Sequence, residues 1–254
     1  MASLEISNLS FSFGGNKPLV INDVSACFEG GEITTVIGRN GGGKTTLLRS
    51  IAKQLKASGS VKLRDDDGRP LSVETLAFVP QLSQVNSKLT VFEMVLLGLV
   101  SDLRWRVSEE QSQRVEALLG ELGLDDLSRF PMSSLSGGQK QLVFLAQAFV
   151  SKPKALLLDE PTSALDLRHQ LLVMNLVRDY TRRNRAATVV VAHDLMLAAR
   201  YSDKLLMLHE GRVKSFAVSE KVLRPDLLAE VYKVEASVER TLSNFLTVVP
   251  LEPL

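Results

Sequence analysis

Hydrophobic and polar positions change period several times along the chain, and each change predicts an element. Residues 4–13 and 20–28 alternate apolar with polar side chains, the pattern of two half-buried strands, with Gly14, Gly15 and Asn16 as the turn between them. Strict alternation puts Leu9, Phe11 and Phe13 on one face of the first strand. Residues 33–37 are a β-branched run, after which glycines cluster and apolar residues recur at helical spacing from Lys44 to about Leu55. A strand is expected at 60–64, a solvated turn at Asp65 to Gly68, and another strand at 76–79 that Pro80 stops.

The pattern then turns helical. After the polar, irregular stretch 81–88, Thr90 and Glu93 have the S/T-x-x-E spacing of a capping box and open a helix through about Val100. Ser108 and Gln111 repeat the device before a helix with Val115, Leu118, Leu119 and Leu122 on one face, ended by Gly123. Between Gln81 and Gly98 lie Val91, Phe92, Met94, Val95, Leu96 and Leu97, more apolar side chains than one face of a short helix can bury. An outside protein contact is therefore expected there. Ser136 and Gln139 have capping-box spacing before a helix at 140–150.

Residues 155–158 are continuously apolar, as in a strand buried in a parallel sheet, and end abruptly in Asp159 and Glu160. A helix at 167–184 follows, then a buried strand at 188–192 that ends in His193, with Asp194 as cap of the next helix. Residues 204–208 and 212–218 read as a hairpin across Glu210 and Gly211, 225–231 as a short helix, and 236–249 as one or two strands. The whole reads as one α/β domain over 1–254. Its core comes from 1–84 and 151–254, and 85–150 form an inserted helical subdomain, because no Pro/Gly/Ser-rich linker divides them.

Composition narrows the class without naming it. With 45% hydrophobic and 23% charged residues, the 254-residue chain can bury a sizeable core. Its net charge of +1, with acids and bases interleaved, argues against a nucleic-acid partner. Cys27 is the only cysteine, so no intrachain disulfide can form, and its expected role is to fill space in a strand. Residues 1–5 lack the features of a signal peptide, and no run approaches 18 apolar residues, so a membrane role is expected to come through a partner.

The candidate chemistry begins at Gly38, Gly43, Lys44 and Thr45, which satisfy the phosphate-loop pattern G-x-x-x-x-G-K-[ST]. By accident this pattern arises in about one chain of this length in a hundred, and a strand before it and a helix after it make accident rarer still. Glycines let successive amides curl around a phosphate, and the helix start adds partial positive charge. Lys44 is expected at the β- and γ-phosphates and Thr45 at the accompanying Mg2+. Gly137 and Gly138 exceed what a capping box needs and strip side chains from a second helix start, a second anion site. In phosphate-loop proteins an acid at a strand end such as Asp159 holds magnesium, and the adjacent Glu160 can act as general base. His193 and Phe13, taken alone, suit structural roles more often than functional ones.

Taken together, five motifs in one order resemble the nucleotide-binding subunit of ATP-binding-cassette (ABC) transporters along nearly the whole chain. The resemblance implies a phosphate-loop NTPase core with a mainly parallel sheet, an N-terminal antiparallel β subdomain and an inserted helical subdomain. ATP and Mg2+ are the implied cofactors. Gly38, Arg39, Asn40, Gly41, Gly42, Gly43, Lys44, Thr45 and Thr46 would form the Walker A loop, with Phe13 stacking on adenine and Thr45, Gln81 and Asp159 around magnesium. Lys44, Glu160 and the switch histidine His193 are the implied catalytic residues. Leu135, Ser136, Gly137, Gly138 and Gln139 resemble the signature sequence, and Ser163, Ala164, Leu165 and Asp166 the D-loop. The family pattern further implies two copies facing head to tail, each signature closing the other's ATP. Phe13 in place of the commoner Tyr, Gly42 in place of Ser and Leu142 in place of Arg are mild departures.

The absence of membrane helices and the stretches 89–98 and 161–170 resemble bacterial importers of metal chelates such as siderophores, haem, cobalamin or molybdate. That implies permease partners, an indirect link to a substrate-binding protein, and a peripheral place on the cytoplasmic face of the cell membrane. The alternatives are an importer ATPase for another small solute and a soluble cassette ATPase of iron-sulfur cluster assembly. Translation and nucleic-acid cassettes usually carry two cassettes or a long coiled-coil insertion, which this chain does not show.

Overall fold

In the computed structural model, which describes residues 2–14, 17–72, 75–81, 87–102, 107–163 and 165–254, the chain opens with antiparallel strands β1 (Ser3–Phe11) and β2 (Ile21–Glu29). It continues through β3 (Ile33–Ile37) and α1 (Lys44–Ile51) to β4 (Ser58–Arg64), which returns to β1 and completes a sheet of order β2-β1-β4. Gly15, Asn16 and 82–86 lie outside the described residues, as does Ala164.

Strict alternation fails in β1. Asn8 and Asp23 take left-handed backbone (φ 53° and 57°), the pairing shifts register on either side of Leu9, and the Asn8 amide donates to Asp23 at 2.8 Å. A bulge of this kind inserts a residue and returns Leu9 to the buried side of Leu4 and Ile6. Phe13 falls beyond the strand. Cys27, expected to fill space, is exposed. Helix α1 is shorter than its apolar spacing suggests, because Lys53 turns left-handed (φ 56°) just after the Ala52 cap.

The remaining strands build a six-stranded sheet. They are β5 (Leu76–Val79), β6 (Ala155–Asp159), β7 (Ala187–Val191), β8 (Lys204–His209) and β9 (Arg212–Ala217), in the order β5-β6-β7-β3-β8-β9. All neighbours are parallel except β8 and β9, whose turn uses the positive φ of Glu210 and Gly211. Both faces are covered, which explains the unbroken apolar runs. In β6, Ala155 and Leu157 join the core shared with the antiparallel sheet and α1, while Leu156 and Leu158 join the core under the helices on the other side.

Those helices are α2 (Val91–Leu96), continued by a 3-10 turn over Leu97–Asp102, α3 (Glu109–Glu121), α4 (Gly137–Val150) and α5 (Leu167–Asn184). The expected capping boxes are formed at Thr90/Glu93, Ser108/Gln111 and Ser136/Gln139. Helix α2 packs on both α3 and α4, so Val91, Met94 and Val95 are buried and Phe92 and Leu96 pack against the core. Of the six apolar residues expected to exceed one face, only Leu97 remains exposed, at 41%. The apolar excess is mostly absorbed by two helical neighbours.

Beyond β7 come α6 (Leu195–Tyr201), capped by Asp194, then α7 (Ser219–Val222), α8 (Pro225–Tyr232) and a hairpin of β10 (Val234–Arg240) and β11 (Leu246–Pro253). Among the described residues no helix is long and apolar enough to cross a membrane.

Candidate nucleotide site

Three adjacent strands end level with one another. Asp159 pairs with Val191 and Val191 with Val36, so the loops after β6, β7 and β3 emerge side by side at the carboxyl edge of the sheet. Those loops carry Glu160, His193 and the glycine-rich turn. With Phe13, Val20 and Gln81 they surround a cavity of about 650 Å³, whose floor is Asn40, Gly41, Gly43, Lys44, Thr45 and Thr46.

The floor is shaped for an anion. Gly43 has φ 93°, and a Cβ there would lie 2.8 Å from the Val20 carbonyl, so glycine is required for both conformation and space. No side chain caps α1, which leaves its first amides to a ligand. Lys44 is only 5% exposed, and its ammonium donates to the carbonyls of Gly38 (2.8 Å) and Arg39 (3.0 Å). Burial pushes its pKa below the usual lysine value, against the opposing pull of Glu160 and Asp159. A polyphosphate would meet a pre-placed cation.

Behind the loop, Thr45 donates its hydroxyl to Asp159 Oδ1 at 2.9 Å. Asp159 is 1% exposed, and its other oxygen, Oδ2, is buried with no hydrogen-bond partner. Burial raises this carboxyl above the ordinary range. A buried carboxylate oxygen without a partner beside a threonine hydroxyl fits the donor set that a magnesium ion takes.

Glu160 sits at the lip with left-handed backbone (φ 51°). Gln81 Nε2 donates to its Oε2 at 2.6 Å, and its Oε1 pairs with His193 Nε2. Thus Gln81, Glu160 and His193, far apart in sequence, form one hydrogen-bonded row. Phe13 stands at the rim, 60% exposed and edge-on to Phe11 with ring centres 4.9 Å apart. It presents a free aromatic face.

The signature residues are elsewhere. None of Leu135, Ser136, Gly137, Gly138 and Gln139 lines this cavity; they open α4, where Ser136 and Gln139 cap each other. The helix starts at Gly137, three residues earlier than its apolar spacing suggests, so both glycines lie in its first turn. Ser163 donates to the Glu160 carbonyl at 3.0 Å, the Leu165 carbonyl accepts from Gln170 at 3.1 Å, and Asp166 caps α5. Sequence reasoning missed Val20 and Tyr232, whose hydroxyl meets the backbone of Gly38 and is pushed by burial up to about 12. It also missed His169, although the Asp166-x-x-His169 spacing signals a residue within reach of a helix cap.

A phosphate cradle on a parallel strand edge, with a carboxylate pair at the next-but-one strand, defines a phosphate-loop nucleoside triphosphatase. A family model described as ABC transporter matches residues 21–163, and the chain belongs to that family, as an ATP-binding, ATP-hydrolysing component. It is 37% identical over 241 residues to an uncharacterized ABC transporter ATP-binding protein of Methanocaldococcus jannaschii, with 93% of each chain covered. An iron(3+)-hydroxamate import ATP-binding protein of Bacillus subtilis is 32% identical over 245 residues, covering 94% of this chain and 90% of the relative. Among solved structures, a chain assigned to a metal-chelate type ABC transporter in an inward-facing conformation superposes with a TM-score of 0.86 at 27% identity, covering 99% and 98% of the two chains.

Proposed function

We propose that this chain is the ATPase subunit of an importer of a metal chelate such as an iron-siderophore. The observation that carries the reading is the one cavity that gathers Lys44, Thr45, Gln81, Glu160 and His193 from separate segments, on a chain similar to import ATP-binding proteins named for iron(3+)-hydroxamate and hemin and to a probable siderophore transport system ATP-binding protein. The Walker A residues Gly38 to Thr46 bind the phosphates, and Phe13 stacks on adenine. Thr45, Asp159 and Gln81 would hold Mg2+, which, when bound, neutralises charge on the phosphates. Lys44 neutralises phosphate charge directly. Glu160 takes the proton of the attacking water, while Gln81 and His193 fix its two oxygens so that the carboxylate faces one direction. Residues 85–150 act as the helical subdomain inserted into the 1–84 and 151–254 core.

Because Ser136 to Gln139 lie outside the cavity, we assign them to the ATP of a second copy facing head to tail, with Ser163 to Asp166 at the same junction. Permease subunits place the protein on the cytoplasmic face of the membrane and link it indirectly to a substrate-binding protein. Reconstitution with a candidate metal-chelate permease is the test. Vesicles should accumulate labelled iron-siderophore only with ATP and only with intact Lys44. Uptake that survives Lys44→Ala would refute the role given to Lys44, and a protein that never fractionates with any membrane partner would favour a soluble cassette ATPase of cluster assembly instead.

A further inference from the structure

We propose that His169 is a positioning residue that locks the start of the signature helix α4 to the D-loop, so that the two move as one body. The inference rests on the head-to-tail reading above and adds to it a named connection within each copy. His169 lies in the first turn of α5. Its backbone N–H donates to Asp166 Oδ1 at 2.8 Å, and its ring Nδ1 lies 2.9 and 2.8 Å from the two oxygens of the same carboxylate. Those bonds lower the Asp166 carboxyl from its ordinary value, the backbone N–H of His169 contributing most. One side chain therefore closes the D-loop onto α5 and fixes the imidazole plane.

That plane lies against α4. A Cβ added to Gly138 would come within 2.6 Å of His169 Cδ2, 2.9 Å of Cγ and 3.1 Å of Nε2, so the three nearest atoms all belong to this ring. Such distances are closer than packed carbons tolerate. The ring cannot simply swing aside, because moving it breaks its bonds to Asp166. Gly138 has no positive-φ requirement, so contact with the ring, not backbone conformation, explains the glycine. Gln170 adds a second tie through the Leu165 carbonyl at 3.1 Å. None of Gly137, Gly138, Ser163, Leu165 and Asp166 lines the cavity of its own chain, so a rigid junction between the two elements would present signature and D-loop to the other copy in one orientation.

The test is a double-mutant cycle on the full-length chain with two readouts. In nucleotide-free thermal unfolding, Gly138→Ala should lower the midpoint when His169 is present and raise it in His169→Ala, because alanine is otherwise the better helix residue. In a Glu160→Gln background, His169→Ala should raise the protein concentration needed for ATP-driven dimerisation by about tenfold, a loss of pre-organisation. ATP affinity of the monomer should change by less than about twofold, which a general loss of structure would not spare. Equal effects of Gly138→Ala in both backgrounds, or unchanged dimerisation in His169→Ala, would overturn the clamp. If the sign reversal appears but Glu160→Gln alone never dimerises with ATP, the clamp stands and the head-to-tail reading fails.

Discussion

Glu160 and Asp159 are neighbours in sequence with opposite surroundings, and the left-handed turn at Glu160 produces the difference. Outside glycine that conformation costs about 1 kcal/mol, and here it turns Glu160 to Gln81 and His193 while Asp159, still paired within β6, faces Thr45. Glu160→Gln keeps the size and should retain ATP while slowing turnover by at least about a hundredfold. Lys44→Ala should weaken nucleotide binding as well, and equal loss of ATP affinity in both variants would refute the division of roles. Asp159 supplies a pH test. Its folded pKa is raised by burial, so the folded state binds more protons than the unfolded one above 3.8, and native stability falls as pH rises through the raised value. Asp159→Asn removes that cost. Unfolding of the nucleotide-free variant at pH 7 should therefore come at a higher midpoint than wild type, and the gap should shrink as pH falls toward 3.8, while turnover is lost at every pH.

Helix starts divide the elements into two kinds. Helices α2, α3 and α4 begin with reciprocal side-chain caps, whereas α1 begins with bare glycine backbone. A reciprocal cap takes up amides of the first turn from within the chain, whereas at α1 no side chain does so and they are left for an anion. Ser108 lines no part of the nucleotide cavity, so Ser108→Ala should cost about 1 kcal/mol in denaturant unfolding and leave ATPase activity unchanged. A loss of turnover in that variant would mean that α3 communicates with the site. Helix α5 shows a further use of an element's end. Asp166 both starts it and ties His169, so capping and placement are one interaction.

On the scale of the whole molecule, the nucleotide cavity stands on the edge of the buried sheet, so the proposed coupling to a permease would occur at another part of the surface. Leu97 stands exposed at the cleft between β5 and α4, which Pro80 and Phe144 also line. An exposed leucine in such a cleft suits an apolar partner segment. Leu97→Glu should sharply reduce ATP-driven uptake by the assembled transporter while the isolated subunit keeps its ATPase rate within about twofold, since the charge stays solvated when no partner is present. Uptake at the wild-type level would place the docking surface elsewhere.

The sequence by itself determined what local physics controls. The phosphate loop, the carboxylates closing an apolar strand, the three capping boxes and the order of elements follow from residue type and spacing, because a β-branched run, a glycine turn and a cap act over a few residues. Tertiary structure decided what depends on distant partners. It slipped β1 by a bulge that alternation hides, and it absorbed the apolar surplus of α2 between two helices. It brought Gln81, Glu160 and His193 into one row from three separated segments. It also set the His169 ring against Gly138, a contact between residues 31 positions apart on two different helices. No window of sequence contains both partners of such contacts, and only the closing of the sheet and the packing of helices on its face bring them within reach.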